Sequence, residues 1–237
     1  MVLFISDLHL SPERPETTAA FFRFMAGPAR QAQALYILGD LFEYWAGDDL
    51  ADTFNQRIIA ALADLAGHGV QVSLLVGNRD FLIARRFARA ARLTLLPDPS
   101  LVPIDGHPTL LMHGDSLCTD DTAYMAFRRK VRHPLTLALL RNMPLALSRR
   151  LFIAGRKKSE AAKQGKSRAI MDVNAEAVAA VLRTHGHPRL IHGHTHRPAR
   201  HDHSVDGGTC ERWVLSDWHD KATWLECRDG ECRFKEE

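Results

Sequence analysis

The chain has 237 residues, 46% hydrophobic and 25% charged, with a formal net charge of +3. That is enough to bury a sizeable core as one domain with room for an insertion, and no run reaches the roughly eighteen apolar residues of a membrane-spanning helix. The N-terminus lacks a basic stretch and puts Asp7 where a signal peptide would be apolar, so a signal peptide is not expected. Cys118, Cys210, Cys227 and Cys232 show no C-x-x-C spacing, and a domain of this size needs no disulfide staples. They read as reduced thiols of a cytosolic protein.

In chain order, the run VLFIS at 2–6 predicts a strand and is followed by Asp7-Leu8-His9. ALYIL at 34–38 leads into Gly39-Asp40, and SLLV at 73–76 into Gly77-Asn78-Arg79-Asp80. TLLM at 109–112 leads into His113-Gly114-Asp115, after which the α/β alternation stops. It resumes near Ile191, where RLIH precedes Gly193-His194-Thr195-His196. Short apolar runs of this kind predict strands buried on both faces of a sheet. In an open α/β sheet, sites form beyond the carboxyl ends of the strands. Five strand ends carrying polar groups at one rim therefore make a site.

The interruption has its own chemistry. Residues 128–168 hold thirteen Lys or Arg and one acid, Glu160, a net +12, while the remaining 18 basic and 27 acidic residues leave −9. Pro134 and Pro144 divide the stretch into short predicted helices. Its aliphatic residues, from Leu135 to Phe152 and Ile153, exceed what a small helical cap would bury on itself. A helical hairpin with a solvated basic face is one reading, and a nucleic-acid surface is another. Single-strand binders also need aromatic platforms, and Phe152 is the one aromatic in the block. The aliphatic bias favours a cap that takes an acyl chain and meets anionic headgroups.

Asp7, His9, Asp40, Asn78, His113, His194 and His196 supply two carboxylates, one amide oxygen and four imidazoles, without a thiolate. Such a set suits Mn, Fe, Zn or Ni. Seven donors are too many for one catalytic ion with an open position. They suit two ions about 3.5–4 Å apart, sharing a carboxylate, as used for in-line attack on phosphorus. Singly, an Asp after a strand is usually a turn or cap. Jointly, that reading needs five coincidences. Asp80 and Asp115 read equally as caps or as groups that orient the ligands.

The order D-x-H, G-D, G-N, H-G-D, G-H-x-H resembles the calcineurin-like metallophosphoesterase superfamily. The resemblance implies a four-layer α/β/β/α sandwich with a core at 1–119 and 169–237 and an inserted helical cap at 120–168. It assigns Asp7, His9 and His196 to one ion and Asn78, His113 and His194 to the other, with Asp40 bridging. Arg79 stands where most of the superfamily has His. That variant, MHGDSLCTDD at 112–121, Tyr124, Phe127-Arg128 and the spacing of Ser159, Lys163, Lys166 and Arg168 resemble one family more narrowly, the UDP-2,3-diacylglucosamine diphosphatases of lipid A biosynthesis.

That narrower resemblance implies two Mn²⁺ ions and water attacking the phosphorus nearest uridine, giving UMP and 2,3-diacylglucosamine 1-phosphate. Catalytic roles would fall on Asp40, Asn78, Arg79 and His113. Substrate binding would fall on Asn78, Arg79, Asp121, Ser159, Lys163, Lys166 and His194. It also implies peripheral attachment to the cytoplasmic face of a Gram-negative inner membrane, with no nucleic-acid partner. The alternative is a dimetal phosphoesterase for nucleotides or nucleic acid, which would not need the aliphatic cap. The tail from His201 onward carries no motif.

Overall fold

Alternation of period two in the first strand sets the layering. Leu3 and Ile5 of β1 (Val2–Ile5) turn to one face of the sheet, Val2 and Phe4 to the other, and all four are buried. A computed structural model describes residues 1–48, 50, 52–151, 155 and 172–237. The first sheet runs β11-β10-β1-β2-β3-β4, with β2 (Ala34–Leu38), β3 (Gln71–Leu75) and β4 (Thr94–Leu95) parallel to β1, and with β10 (Thr223–Arg228) and β11 (Glu231–Glu236) on its other side. The second runs β5-β6-β7-β9-β8, formed by β5 (Ser100–Ile104), β6 (His107–Met112), β7 (Arg189–His192), β8 (Ala199–Val205) and β9 (Gly208–Val214). All five apolar runs singled out in the sequence are strands.

Three hydrophobic clusters fill the gaps between four layers. Leu3, Ile5, Leu35, Ile37 and Leu74 pack on Phe21 and Phe24 of α1 (Pro15–Ala26) and on Ile58, Leu62 and Leu65 of α2 (Thr53–Gly67). Phe4, Leu38 and Leu75 of the first sheet meet Leu111, Ile191 and Trp213 of the second. Leu110, Met112 and Leu190 cover Val178 and Leu182 of α7 (Ala175–Thr184). The order is helix, sheet, sheet, helix, as expected. A short α3 (Arg85–Ala90) precedes β4, and Asp48 caps it from a neighbouring loop, accepting from the amides of Ala84, Arg86 and Phe87.

Between β6 and β7 the described residues form α4 (Thr122–Val131), α5 (Pro134–Arg141) and a helical stretch, α6, over 145–151. Pro134 sits at the start of α5, where a missing N–H costs nothing. Ser159, Lys163, Lys166, Phe152 and Ile153 lie outside the described residues.

The tail without a motif proves to be structural. Its β9 lies inside the second sheet, and β10 (Thr223–Arg228) pairs antiparallel with β1, followed by β11 (Glu231–Glu236). The expectation of four reduced thiols is corrected here. Cys227 and Cys232 face each other across the β10–β11 hairpin, with Cα atoms 4.1 Å apart, and form a disulfide. Their four-residue spacing conceals the pairing, because a tight turn brings opposed strand residues together. Cys118 and Cys210 are free and buried.

Candidate metal centre

The turns after β1 and β2 are laced together before any side chain is considered. Asp7 N donates to Gly39 O at 3.1 Å, His9 N to Asp40 O at 3.0 Å and Leu10 N to Leu41 O at 2.9 Å. Asp7, His9, Asp40, His194 and His196 all have positive φ, between 51° and 69°. A left-handed conformation is uncommon for residues other than glycine, and such residues cluster where function requires a particular side-chain direction. The glycines beside them permit the close approach. A Cβ on Gly77 would strike the Asp40 carboxylate, and one on Gly193 would strike Asp7 and Ser6.

Two groups of donors result. Asp7, His9 and His196 offer atoms all within 4.8 Å of one another, and so do Asp7, Asp40 and His113. Asp7 Oδ1 lies 3.3 Å from His196 Nε2 and 4.0 Å from His9 Nε2, and these two imidazole nitrogens are 3.5 Å apart. Asp40 Oδ1 lies 3.7 Å from His113 Nε2, which is 3.1 Å from Asn78 Oδ1. The backbone N–H of His194 donates to Asp7 Oδ2 at 2.8 Å, and its ring meets that of His113 edge-on at 5.1 Å. Five of the seven residues named from sequence thus make up the two groups; Asn78 joins through His113, and His194 belongs to neither, meeting them by its backbone N–H and its ring. Asp7 belongs to both groups, whereas the resemblance gives the shared position to Asp40.

Three of the imidazoles have the same orientation. His9, His113 and His196 each turn Nε2 inward, while Nδ1 faces Glu43 at 3.5 Å, Leu38 O at 2.8 Å and Asp217 at 3.2 Å respectively. For His113 and His196 an outward N–H on a carbonyl or carboxylate fixes the tautomer that leaves Nε2 as a ligand, whereas buried His9 Nδ1 faces Glu43 without a hydrogen bond. Together with the buried oxygens and the glycine cradle, this fits two divalent ions. The site's own protons already reflect that demand for positive charge. Burial works to raise the Asp7 pKa, but His196, His113 and His9 outweigh it and hold the carboxyl well below the usual range. Burial pushes Asp40 up to about 7 despite His113. Against burial, Asp40, Asp7 and Asp115 raise His113 to about 9, and Asp217 and Asp7 raise His196 to about 10. Burial takes His9 down to about 3.

Arg79 sits at the junction. Its backbone N–H donates to Asp40 Oδ1 at 2.8 Å, and its guanidinium lies 3.2 Å from Glu43. Asp80 is buried and accepts from Gly77 N at 2.7 Å and Leu41 N at 2.8 Å, so it braces the loop carrying Asn78 and Arg79. Asp115 accepts from Tyr124 Oη at 2.6 Å and Arg128 Nε at 2.7 Å, which ties α4 to the rim. Asp121 caps α4 by accepting from Tyr124 N at 3.0 Å.

Sequence reading missed Glu43, Asp217 and His192. Asp217 ends Trp213-Val214-Leu215-Ser216-Asp217, the same pattern as Phe4-Ile5-Ser6-Asp7, and that signal was present. His192 is fully buried, with Nδ1 2.8 Å from Gly193 O and Nε2 3.1 Å from Arg212.

The aliphatics between β6 and β7 divide by face. Leu137 and Leu140 pack on the core, whereas Leu135 and Leu139 are 76% and 65% exposed, and Phe127 of α4 is exposed too. No helix among the described residues is long and apolar enough to cross a membrane.

The profile of the calcineurin-like phosphoesterase family matches residues 1–198. The chain is 58% identical to the UDP-2,3-diacylglucosamine hydrolase of Aromatoleum aromaticum over 223 residues, 94% of this chain and 91% of that one. Identity to the protein of the same name from Pseudomonas aeruginosa is 53%, over 94% and 92%. For that of Edwardsiella ictaluri it is 48%, over 92% and 84%. With five loops at the strand ends of this sandwich converging on one donor set, the chain belongs to the calcineurin-like phosphoesterase family.

Proposed function

We propose that the protein hydrolyses the pyrophosphate of UDP-2,3-diacylglucosamine, releasing UMP and 2,3-diacylglucosamine 1-phosphate. The observation that carries this reading is the 48–58% identity, over more than nine-tenths of the chain, to relatives bearing that hydrolase's name. Asp7, His9, Asp40, Asn78, His113, His194 and His196 would hold two divalent ions, for which we propose Mn²⁺. When bound, such ions neutralise phosphate charge and make water nucleophilic near neutral pH.

The protein's own groups do the rest. Arg79, permanently charged and fork-shaped, grips phosphate oxygens and stabilises negative charge as it builds. The leaving group is a phosphate monoester, whose second pKa is about 6. It departs without a proton, so Arg can stand where a proton-donating His would serve an alkoxide. Asn78 and His194 border the reacting phosphate. Asp121, Ser159, Lys163 and Lys166, on an inserted cap at 120–168, bind the rest of the substrate.

The exposed Leu135, Leu139 and Phe127, with Arg129 and Lys130 nearby, suit peripheral contact with an anionic membrane surface. We place the protein on the cytoplasmic face of a Gram-negative inner membrane. A panel of UDP-2,3-diacylglucosamine, its deacylated counterpart and a dinucleoside polyphosphate, assayed with Mn²⁺, tests the function. Preference for the acylated compound is expected. Equal or better turnover of the other two would replace this reading with that of a nucleotide phosphoesterase.

A further inference from the structure

The carboxylate of Glu43 lies between two residues that the proposed reaction uses separately. Oε1 is 3.2 Å from Arg79 Nη1 and Oε2 is 3.5 Å from His9 Nδ1. All three side chains are largely buried, at 12%, 21% and 8% exposure respectively. The backbone leaves Glu43 little freedom. Its N–H donates to Leu10 O at 3.1 Å, and the preceding Phe42 bridges to Leu10 and packs against Trp45 and Phe87. Arg79 is tied to the same segment, its carbonyl accepting from Trp45 N at 3.0 Å.

We propose that Glu43 is a positioning residue shared by His9 and Arg79, setting the imidazole for the ion held with Asp7 and His196 and the guanidinium for substrate phosphate. The Arg79 half rests on the proposed hydrolase reading; the His9 half does not. Donor and acceptor chemistry explains why a carboxylate is required. A guanidinium only donates. With Nε2 serving an ion beside Asp7 and His196, His9 Nδ1 must carry the hydrogen; it is buried and unbonded in the structure, and Glu43 Oε2, 3.5 Å away, is the acceptor it faces. Glutamate presents an acceptor to each. Glutamine presents one acceptor and one donor, so it can satisfy Arg79 or His9 but not both. One side chain then couples the placement of a metal ligand to that of the phosphate-binding arginine.

The test is Glu43→Gln, close to isosteric, in the full-length protein. Substrate-free protein is titrated with Mn²⁺, free ion being read by electron paramagnetic resonance. One class of bound ion should weaken by about 10–100-fold, the usual cost of removing a carboxylate behind a ligating histidine. Arg79→Ala, which leaves the Glu43 carboxylate in place as acceptor for His9, should weaken that class far less than Glu43→Gln does. Unchanged affinity in Glu43→Gln overturns the His9 half. For Arg79, kcat/KM is measured in a double-mutant cycle, with UDP-2,3-diacylglucosamine and with a simple aryl phosphodiester. The Glu43→Gln loss should shrink when Arg79 is already Ala, and losses that simply multiply overturn the coupling. A protein that cleaves only the aryl diester would remove the proposed substrate while both arms still read out. Nitrogen-15 spectra of the metal-free unsubstituted protein supply a check that needs no variant. A His9 ring protonated on Nδ1 is expected, and one protonated on Nε2 overturns the proposal.

Discussion

Asp217 Oδ2 lies 3.2 Å from His196 Nδ1 and the same distance from His219 Nε2, so one carboxylate from the C-terminal tail orients a histidine of the candidate metal centre. Asp217→Asn keeps the shape but weakens the acceptor. It should lower Mn²⁺ affinity by about 10–100-fold, measured by equilibrium dialysis, while high Mn²⁺ restores most turnover. Unaltered affinity would make the contact incidental.

Asp40→Ala should abolish turnover more completely than His196→Ala. Asp40 is buried between His113 and the Arg79 amide, whereas His196 stands at the partly exposed edge, 37% accessible. Raising Mn²⁺ should partly rescue His196→Ala and leave Asp40→Ala inactive. Equal losses that no Mn²⁺ concentration relieves would argue against a bridging Asp40 and leave Asp7 as the carboxylate common to both donor groups.

Arg79→Ala should lower kcat by about 10²–10³, the scale for losing one group that stabilises transition-state charge. Metal content by elemental analysis should not change, because the guanidinium faces Glu43 and only the Arg79 backbone touches Asp40. A variant that loses an ion would place Arg79 in the metal shell instead.

Stability of the metal-free and metal-loaded protein should diverge with pH. His113 and His196 are raised to about 9 and about 10. Their protonation stabilises the metal-free fold fully below the ordinary imidazole value, and that contribution is lost as pH climbs through 9 and 10. Ions compete for the same nitrogens, so binding tightens as the protons leave. The rise in Tm produced by Mn²⁺ should therefore grow between pH 7 and 9 under anaerobic conditions. A rise that shrinks over that range would contradict the assignment of these histidines.

Leu135→Asn combined with Leu139→Asn should lower affinity for phosphatidylglycerol vesicles by at least about tenfold, given about 1.5–3 kcal/mol for each fully buried leucine. Added salt should weaken the remaining attraction. Turnover of a small phosphodiester should be unaffected, since both side chains point away from the core. Equal vesicle binding by the variant would move the membrane contact elsewhere.

The seven candidate donors were legible because each follows a strand whose apolar run is visible in one dimension. Parallel strands of one sheet end at one rim whatever the loop lengths between them, which gathers the ends of β1, β2 and β3 in the first sheet and of β6 and β7 in the second; the packing of the two sheets brings those rims together. The layers were legible for the same reason, since Val2-Leu3-Phe4-Ile5 buries both faces. What no periodicity announces is the partner on the far side of each ring. Glu43 and Asp217 matter through their proximity to His9 and His196, and Asp217 is brought there by the chain segment between β9 and β10. The Cys227–Cys232 bond likewise depends on which residues a hairpin sets opposite each other. Local sequence determined the candidate ligand types and the strands that carry them. Tertiary structure alone decided the orientation of the rings, because hydrogen bonds between distant segments select the tautomer.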